Sequence, residues 1–567
     1  MNQPNPAIVA QAAVRRLPRV ALLLFCLAYI LPGFIGRDAW KSADVSTLGF
    51  MAELLQGTAH WLHPTLLGQP PEDTALLPYW LGAWAMQAAP SWAAVDAVAR
   101  LPFVLLLALA LACTWYSTYC LARTPRAQPV AFAFGGEALP RDYARAMADG
   151  GMLAIIACLG LAQLGHETTS ALTQLGSAAL LYFALAALHY HPRLALACAW
   201  MGVLALGLSG APSMATLLLL GGCVIHALDR NTGAEADAQD PQPRRTQVVL
   251  GCALPLSAWL FWRLDLWRWK LEFPQARWDD WSGLLQLLTW FTWPAWPLAL
   301  WTLWRWRRQL FSRTLSRHLA LPFWFVLVTL AATLTSGAPD RTLMLGLPAL
   351  ASLTAFALPT LKRPVASLID WFTLLFFSGC GFTIWVVWIA MQTGFPPQPA
   401  ANVQRLAPGF VPTFSLLAFA CAVAATLVWA WLVRWRVGRH RAAIWKSLVL
   451  PAGGAALCWL LLMSLWLPLL NYTQSYSAMV QRTLERLQPA ACVEALGLSP
   501  AKVAALQVYG HVALQPMQAT PQCPWLLAEP GVDEVTQQRV DNTRWDLQAQ
   551  LRHPADGSDT LLVFKRR

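Results

Sequence analysis

The stretch "GRDAWKSADVSTLGF" (residues 36–50) follows directly on an apolar run and carries Arg37, Asp38, Lys41 and Asp44. The preceding run, 18–36, is close to the roughly 20 residues that a bilayer-crossing helix needs. Carboxylates and cations placed just where a chain leaves a bilayer point to chemistry at a membrane face. The rest of the sequence tests whether that face exists.

Composition says that it does. The chain has 567 residues, 57% hydrophobic and 12% charged, with 31 Trp. A soluble globular protein carries roughly 25% charge. A chain with so little cannot cover its surface with polar groups, so most of that surface faces lipid. The net charge of +12 forms no single basic stripe of the kind that nucleic acid requires. The cations cluster in short loops between apolar runs, as membrane orientation demands.

The sequence predicts an α-helical polytopic membrane protein with about thirteen spans, a count open by about one or two because several runs are short or proline-interrupted. The spans lie near 18–36, 97–122, 150–165, 170–189, 194–209, 212–228, 247–263, 283–304, 319–337, 342–360, 366–393, 411–433 and 447–470. The stretch "LLPYWLGAWAMQAAP" (76–90) is short, proline-bounded and rich in Trp, and reads as an interfacial helix. Basic "VRRLPR" (14–19) puts the N-terminus in the cytoplasm. Alternation from there sends "RTPR" (123–126), "RWRRQLFSR" (305–313) and "RWRVGRHR" (434–441) to the same side. It also places the acidic run 234–240 in a cytoplasmic loop, and an odd span count leaves the tail outside.

Residues 1–470 therefore read as the membrane domain, with a first outer loop at 37–96, and 471–567 as a small α/β domain outside. In the tail, "SYSAMVQRTLERL" and "SPAKVAALQVYG" read as helices, the second capped by Ser499. "RWDLQAQLRHPADGSDTLLVFKRR" reads as a hairpin turning at Asp556-Gly557. Cys492 and Cys523 both lie in the tail, where an oxidising compartment favours a disulfide; two free thiols is the other reading. No Cys/His pair has zinc spacing.

The outer loop is far longer than a connection requires, and such loops usually carry function. It holds Asp38, Asp44, Glu53, Glu72 and Asp73. A carboxylate there suits a base for an acceptor hydroxyl or amine. Arg37 and Lys41 beside them suit a phosphate leaving group. The plain alternative is a set of solvated loop charges.

Gly36-Arg37-Asp38-Ala39-Trp40-Lys41, the helix "STLGFMAELLQG", "W-L-x-P-T-L-x-G" (Trp61 to Gly68) and "Y-W-L" (Tyr79 to Leu81) together resemble the first periplasmic loop of bacterial membrane glycosyltransferases. That GT-C group, family 39 and its kin, includes the lipid A aminoarabinose transferase and relatives of the protein O-mannosyltransferases. "GHETTSAL" (165–172) and "TSGAPDRTLMLGLPAL" (335–350) resemble further segments of the group.

The resemblance implies a GT-C fold and a multi-pass protein of the bacterial inner membrane. It implies transfer of a sugar from a polyprenyl-phosphate carrier to a lipid, of the lipid A kind, or to a protein acceptor at the periplasmic face. The group's catalytic acid maps to Asp44, with Asp38 second. Asp73 matches a later acid. Arg341 matches a phosphate-binding base, helped by Lys41 or Arg37. His166 and Glu167, at an outer turn, join the substrate side or simply cap the turn. A divalent metal is compatible with the loop carboxylates, but no ligand spacing indicates one. One carboxylate of the group's paired acids and one of its lysines have no counterpart here. A catalytically degenerate homologue that binds a lipid or partner is therefore the alternative. A transporter would place charges within its spans; these spans are nearly free of them.

Overall fold

The computed structural model describes residues 5–40, 42–229, 243–267, 272–273, 277–312, 314–437, 443–487, 492–518, 520, 522–530 and 544–567. Lys41 and the acidic run 234–240 lie outside the described residues.

Among the described residues five helices are long and apolar enough to cross a membrane: Val95–Ala122, Ser170–Ala187, Arg363–Thr393, Leu416–Arg436 and Ile444–Leu465. Among the described residues, Arg19–Gly33, Pro192–Leu208, Pro212–Leu228, Arg317–Thr333 and Leu347–Thr360 are shorter apolar helices. Several expected spans are interrupted, among them 342–360 at Leu345-Gly346 and 447–470 at Trp466. The run 150–165 breaks at Cys158, between the helices Pro140–Ala157 and Leu159–Leu164. The run 283–304 breaks between Trp278–Phe291 and Ala295–Arg305. Pro294 stands at this last break; it has no N–H to continue a helical ladder.

Small residues and hydroxyls join the helices, as they must where lipid removes the usual hydrophobic drive between spans. A Cβ on Gly202 would lie 2.9 Å from the backbone nitrogen of Leu181, so Ser170–Ala187 and Pro192–Leu208 touch backbone to backbone. The hydroxyls of Thr118 and Ser352 lie 2.8 Å apart, and Thr302 donates to the Leu353 carbonyl at 2.7 Å.

The outer loop is largely helical, through Ala43–Gln56 and Leu77–Gln87, the second of which presents Trp84 at its surface. Beyond residue 470 the described residues form five strands: β1 (Val493–Leu496), β2 (Leu514–Pro516), β3 (Trp525–Ala528), β4 (Trp545–His553) and β5 (Asp556–Arg566). Their order is β2-β1-β3-β5-β4. β1 runs parallel to β2 and β3, and β5 runs antiparallel to β3 and β4. The helix Pro500–Val508 is the crossover that a parallel β1–β2 pair needs. A disulfide joins Cys492 to Cys523 with their Cα atoms 5.4 Å apart.

Two local expectations need correction. The hairpin turns at Pro554-Ala555, not at Asp556-Gly557, because His553 already pairs with Asp556. Pro554 has no N–H with which to extend β4, and the Ala555 amide is taken by His553 Nδ1. Ser499 stands at the N-cap of Pro500–Val508, but its side chain makes no capping bond. Its amide donates to Glu529 instead, at 2.9 Å.

The tail does not hang from the membrane domain. Met479, Val503, Ala504 and Leu506 belong to the same core as Val45 and Leu48 of the outer loop. A Cβ on Gly49 would lie 2.5 Å from that of Ala504, so Ala43–Gln56 and Pro500–Val508 pack at close range.

Candidate functional site

The site is built around the turn His166–Ser170, between the helices Leu159–Leu164 and Ser170–Ala187. Asp44 reaches it from the first turn of Ala43–Gln56, where the helix's positive end favours a carboxylate. Its Oδ2 accepts from Arg37 Nη2 at 2.8 Å and from the Trp40 amide at 3.2 Å. Its Oδ1 accepts from the Thr168 amide at 2.9 Å and from the Thr168 hydroxyl. These bonds occupy a carboxylate's full acceptor capacity of about four sites.

Arg37 is as enclosed as Asp44. It lies 4.2 Å over the Trp40 ring and donates to the His166 carbonyl. Arg100, itself buried, donates to the Arg37 carbonyl and pairs with Asp96 at 3.4 Å. Arg37 and Asp44 thus form a buried pin between the outer loop and the turn. Neither presents a free face to a substrate in this conformation.

Glu167 and Arg341 form a second, looser pair, in which Glu167 is buried and Arg341 partly exposed. Arg341, from the short helix Pro339–Met344, places Nη2 3.8 Å from Glu167 Oε2, with 27% and 10% of the two side chains exposed. Burial pushes the Glu167 carboxyl up to about 7, and the charge of Asp44 adds to this, while Arg37, Arg341 and Gln163 pull it down. A carboxyl poised there can hold or release a proton near neutrality. Asp73, exposed, accepts from the Ser170 hydroxyl at 3.0 Å on the far side of the turn.

The turn therefore gathers Asp44, Arg37, Glu167, Arg341 and Asp73. It does not gather Asp38, which faces the tail and accepts from the Ser475 hydroxyl at 2.9 Å. His166 belongs to the turn but points into packing. Its ring lies 4.7 Å from Trp459, 5.1 Å from Phe34 and 5.5 Å from Tyr29. Burial, with Arg37 nearby, lowers its pKa to about 3, so it is neutral and encased. Gly33 makes room for it: a Cβ there would lie 2.2 Å from the imidazole. Lys41 lies outside the described residues. Among the described residues no group of three or more His, Cys, Asp or Glu side chains is arranged to hold a metal ion.

Sequence reasoning missed Thr168, Trp40, Arg100, Asn471 and Tyr509. Thr168 sits inside the "GHETTSAL" motif, but no local pattern ties it to a carboxylate 124 positions away. Asn471 binds the loop three times. Its side chain donates to the Gly36 carbonyl at 3.0 Å and accepts from the Asp38 amide at 3.2 Å and Trp40 Nε1 at 3.1 Å. Tyr509 Oη accepts from the Ala39 amide at 2.8 Å.

A bundle of apolar helices, with a long helical loop after the first and a small sheet domain packed on that loop, has the GT-C architecture of membrane glycosyltransferases. In particular, it is similar to the crystal structure of ArnT, an aminoarabinose transferase, from Cupriavidus metallidurans in the apo state. The TM-score is 0.59 over 96% of this chain and 98% of that one, at 13% sequence identity. The same enzyme bound to undecaprenyl phosphate matches over the same shares, with a TM-score of 0.59 at 12% identity. The likeness at these identities is one of fold. No protein-family model matches the sequence, and no curated protein does.

Proposed function

We propose that this chain is a membrane glycosyltransferase that moves a sugar from a polyprenyl-phosphate carrier to a lipid or protein acceptor. It works at the periplasmic face of the bacterial inner membrane, with its N-terminus in the cytoplasm and its tail domain outside. One observation carries the reading. Glu167, Arg341, Asp73 and the Arg37–Asp44 pin meet on one turn, in a fold shared with an enzyme solved with undecaprenyl phosphate.

The chemistry divides between the Glu167–Arg341 pair and the pin. The acceptor's nucleophilic atom bonds to the sugar's anomeric carbon, and the bond from that carbon to the phosphate oxygen breaks. The electron pair leaves with the phosphate. Arg341 stabilises that charge, since its loose 3.8 Å pairing with Glu167 leaves donors to spare. The helix Ser170–Ala187 starts at the same turn with no side-chain cap from Thr169, and adds positive potential. The acceptor's proton goes to Glu167. Sequence alone pointed to Asp44 for that role; its filled acceptor sites move the proposal to Glu167. Asp44 then holds Arg37 and the turn in place, and Asp73 faces the acceptor.

The test is glycolipid mass spectrometry on cells with and without the gene, followed by transfer from the identified carrier in proteoliposomes. A sugar-bearing species that vanishes with the gene, and is rebuilt by the pure protein, supports the reading. An unchanged glycolipid and glycoprotein profile overturns it. A second reading, carrier binding without transfer, is favoured by the saturation of Asp44; it predicts undecaprenyl phosphate binding with no turnover.

A further inference from the structure

We propose that Asn471 and Tyr509 are positioning residues of the carrier site. They hold the loop Gly36–Trp40 so that Arg37 and Asp44 meet the His166–Ser170 turn. The proposal rests on the transferase reading above and assigns the tail domain a part in it.

The geometry is a clasp. Three backbone groups and one carboxylate of this loop are held from the tail side. Asn471 takes the Gly36 carbonyl and the Asp38 amide, Tyr509 takes the Ala39 amide, and Ser475 takes the Asp38 carboxylate. From the other side, Arg100 holds the Arg37 carbonyl and Asp44 holds the Trp40 amide. The loop needs holding. Gly36 and Ser42 flank it with φ of 70° and 74°, and Ser42 is not a glycine, so its backbone sits in a disfavoured region. A loop strained at its end stays put only where its surroundings over-determine it. Removing one clasp bond frees the loop to relax and carries Arg37 and Asp44 with it. Both act on the charge of Glu167.

The two residues also differ from the rest of the tail interface. Gln507 donates to Glu53 at 3.0 Å on the same helical contact, away from the loop. Tyr509→Phe removes one hydroxyl and keeps the ring, and Asn471→Ala removes all three bonds.

The experiment uses the full chain in detergent micelles with undecaprenyl phosphate as probe, titrated on both sides of neutral pH. Wild type, Asn471→Ala, Tyr509→Phe and Gln507→Ala are compared, with thermal unfolding recorded for each. The expected result is that Asn471→Ala and Tyr509→Phe weaken probe binding roughly 10- to 100-fold, as a misplaced site residue does. They also shift the pH midpoint of binding, while Gln507→Ala does neither. If all three variants lose binding only in step with their unfolding temperature, the tail merely stabilises the fold and the proposal fails. If no variant changes binding or its pH midpoint, it fails as well. If wild type itself does not bind undecaprenyl phosphate, the transferase reading falls and takes this proposal with it.

Discussion

Arg37 Nη2 and Asp44 Oδ2 lie 2.8 Å apart, with only 2% and 6% of their side chains exposed. Two charges taken this far out of water are stable only as a pair. Breaking such a pair from one side typically costs about 3–5 kcal/mol, because it strands the other charge. Asp44→Ala is expected to lower stability by an amount of that order. Replacing both residues, as in Arg37→Met with Asp44→Leu, should recover part of it, since the Trp40 and Thr168 amides still lose their acceptor. Denaturant or thermal unfolding in micelles measures both. A double variant no more stable than the single one would show that the pair is not the reason.

Glu167→Gln keeps the shape of the side chain and removes its proton acceptor. Turnover in a reconstituted transfer assay should drop by about 10²–10⁴, the usual contribution of a general base, while undecaprenyl phosphate still binds. Unchanged turnover would return the role to Asp44 or Asp73.

The pH dependence follows from the same group. Glu167 acts as a base only when ionised, so activity should fall as pH drops through about 7. Arg341 pulls this carboxyl down, so Arg341→Ala should move the limb to higher pH as well as weaken carrier binding. Stability runs the opposite way. A carboxyl whose folded value lies above its ordinary 4.5 prefers the proton in the native state. Its contribution to stability therefore declines as pH rises from that ordinary value to about 7. A rate profile flat across neutrality would remove Glu167 from the proton step.

Gly49→Ala places a methyl group 2.5 Å from the Ala504 Cβ, where no flexible side-chain end can yield. Overpacking of this kind costs typically about 1–3 kcal/mol. The tail should loosen from the outer loop, which limited proteolysis reads as faster cleavage beyond residue 470.

Cys492→Ser with Cys523→Ser opens a loop spanning 31 positions. In the chain-entropy model that costs about 3–4 kcal/mol. Thermal unfolding of the double variant, beside wild type with and without reductant, measures it. Equal melting in all three samples would remove the disulfide from the stability of the tail.

The sequence by itself determined the class of environment and the layout. A chain with 12% charged residues has no way to wet its surface. The roughly 20-residue apolar period follows from bilayer thickness. The return of charge after residue 470 marked the change from apolar helices to a sheet domain. The same local logic marked the loop 37–96, while the "GHETTSAL" turn stood out only through its resemblance to the glycosyltransferase group. The hairpin turn at Pro554-Ala555 fell two residues from the expected place, whereas the breaks at Cys158 and Pro294 fell inside runs that read as continuous spans.

Only the tertiary structure decided what each charge does. Arg37, Asp38 and Asp44 sit within eight positions of one another in sequence and read alike there. In space Asp44 is locked to Thr168, Asp38 turns to Ser475, and Glu167 pairs loosely with the partly exposed Arg341. The physical reason is that burial and partner number set a carboxylate's chemistry. Those quantities depend on residues 124 and 437 positions away. No spacing rule reaches that far. The partners of a charged loop are supplied by the whole packing, here by a turn between two helices and by a domain at the other end of the chain.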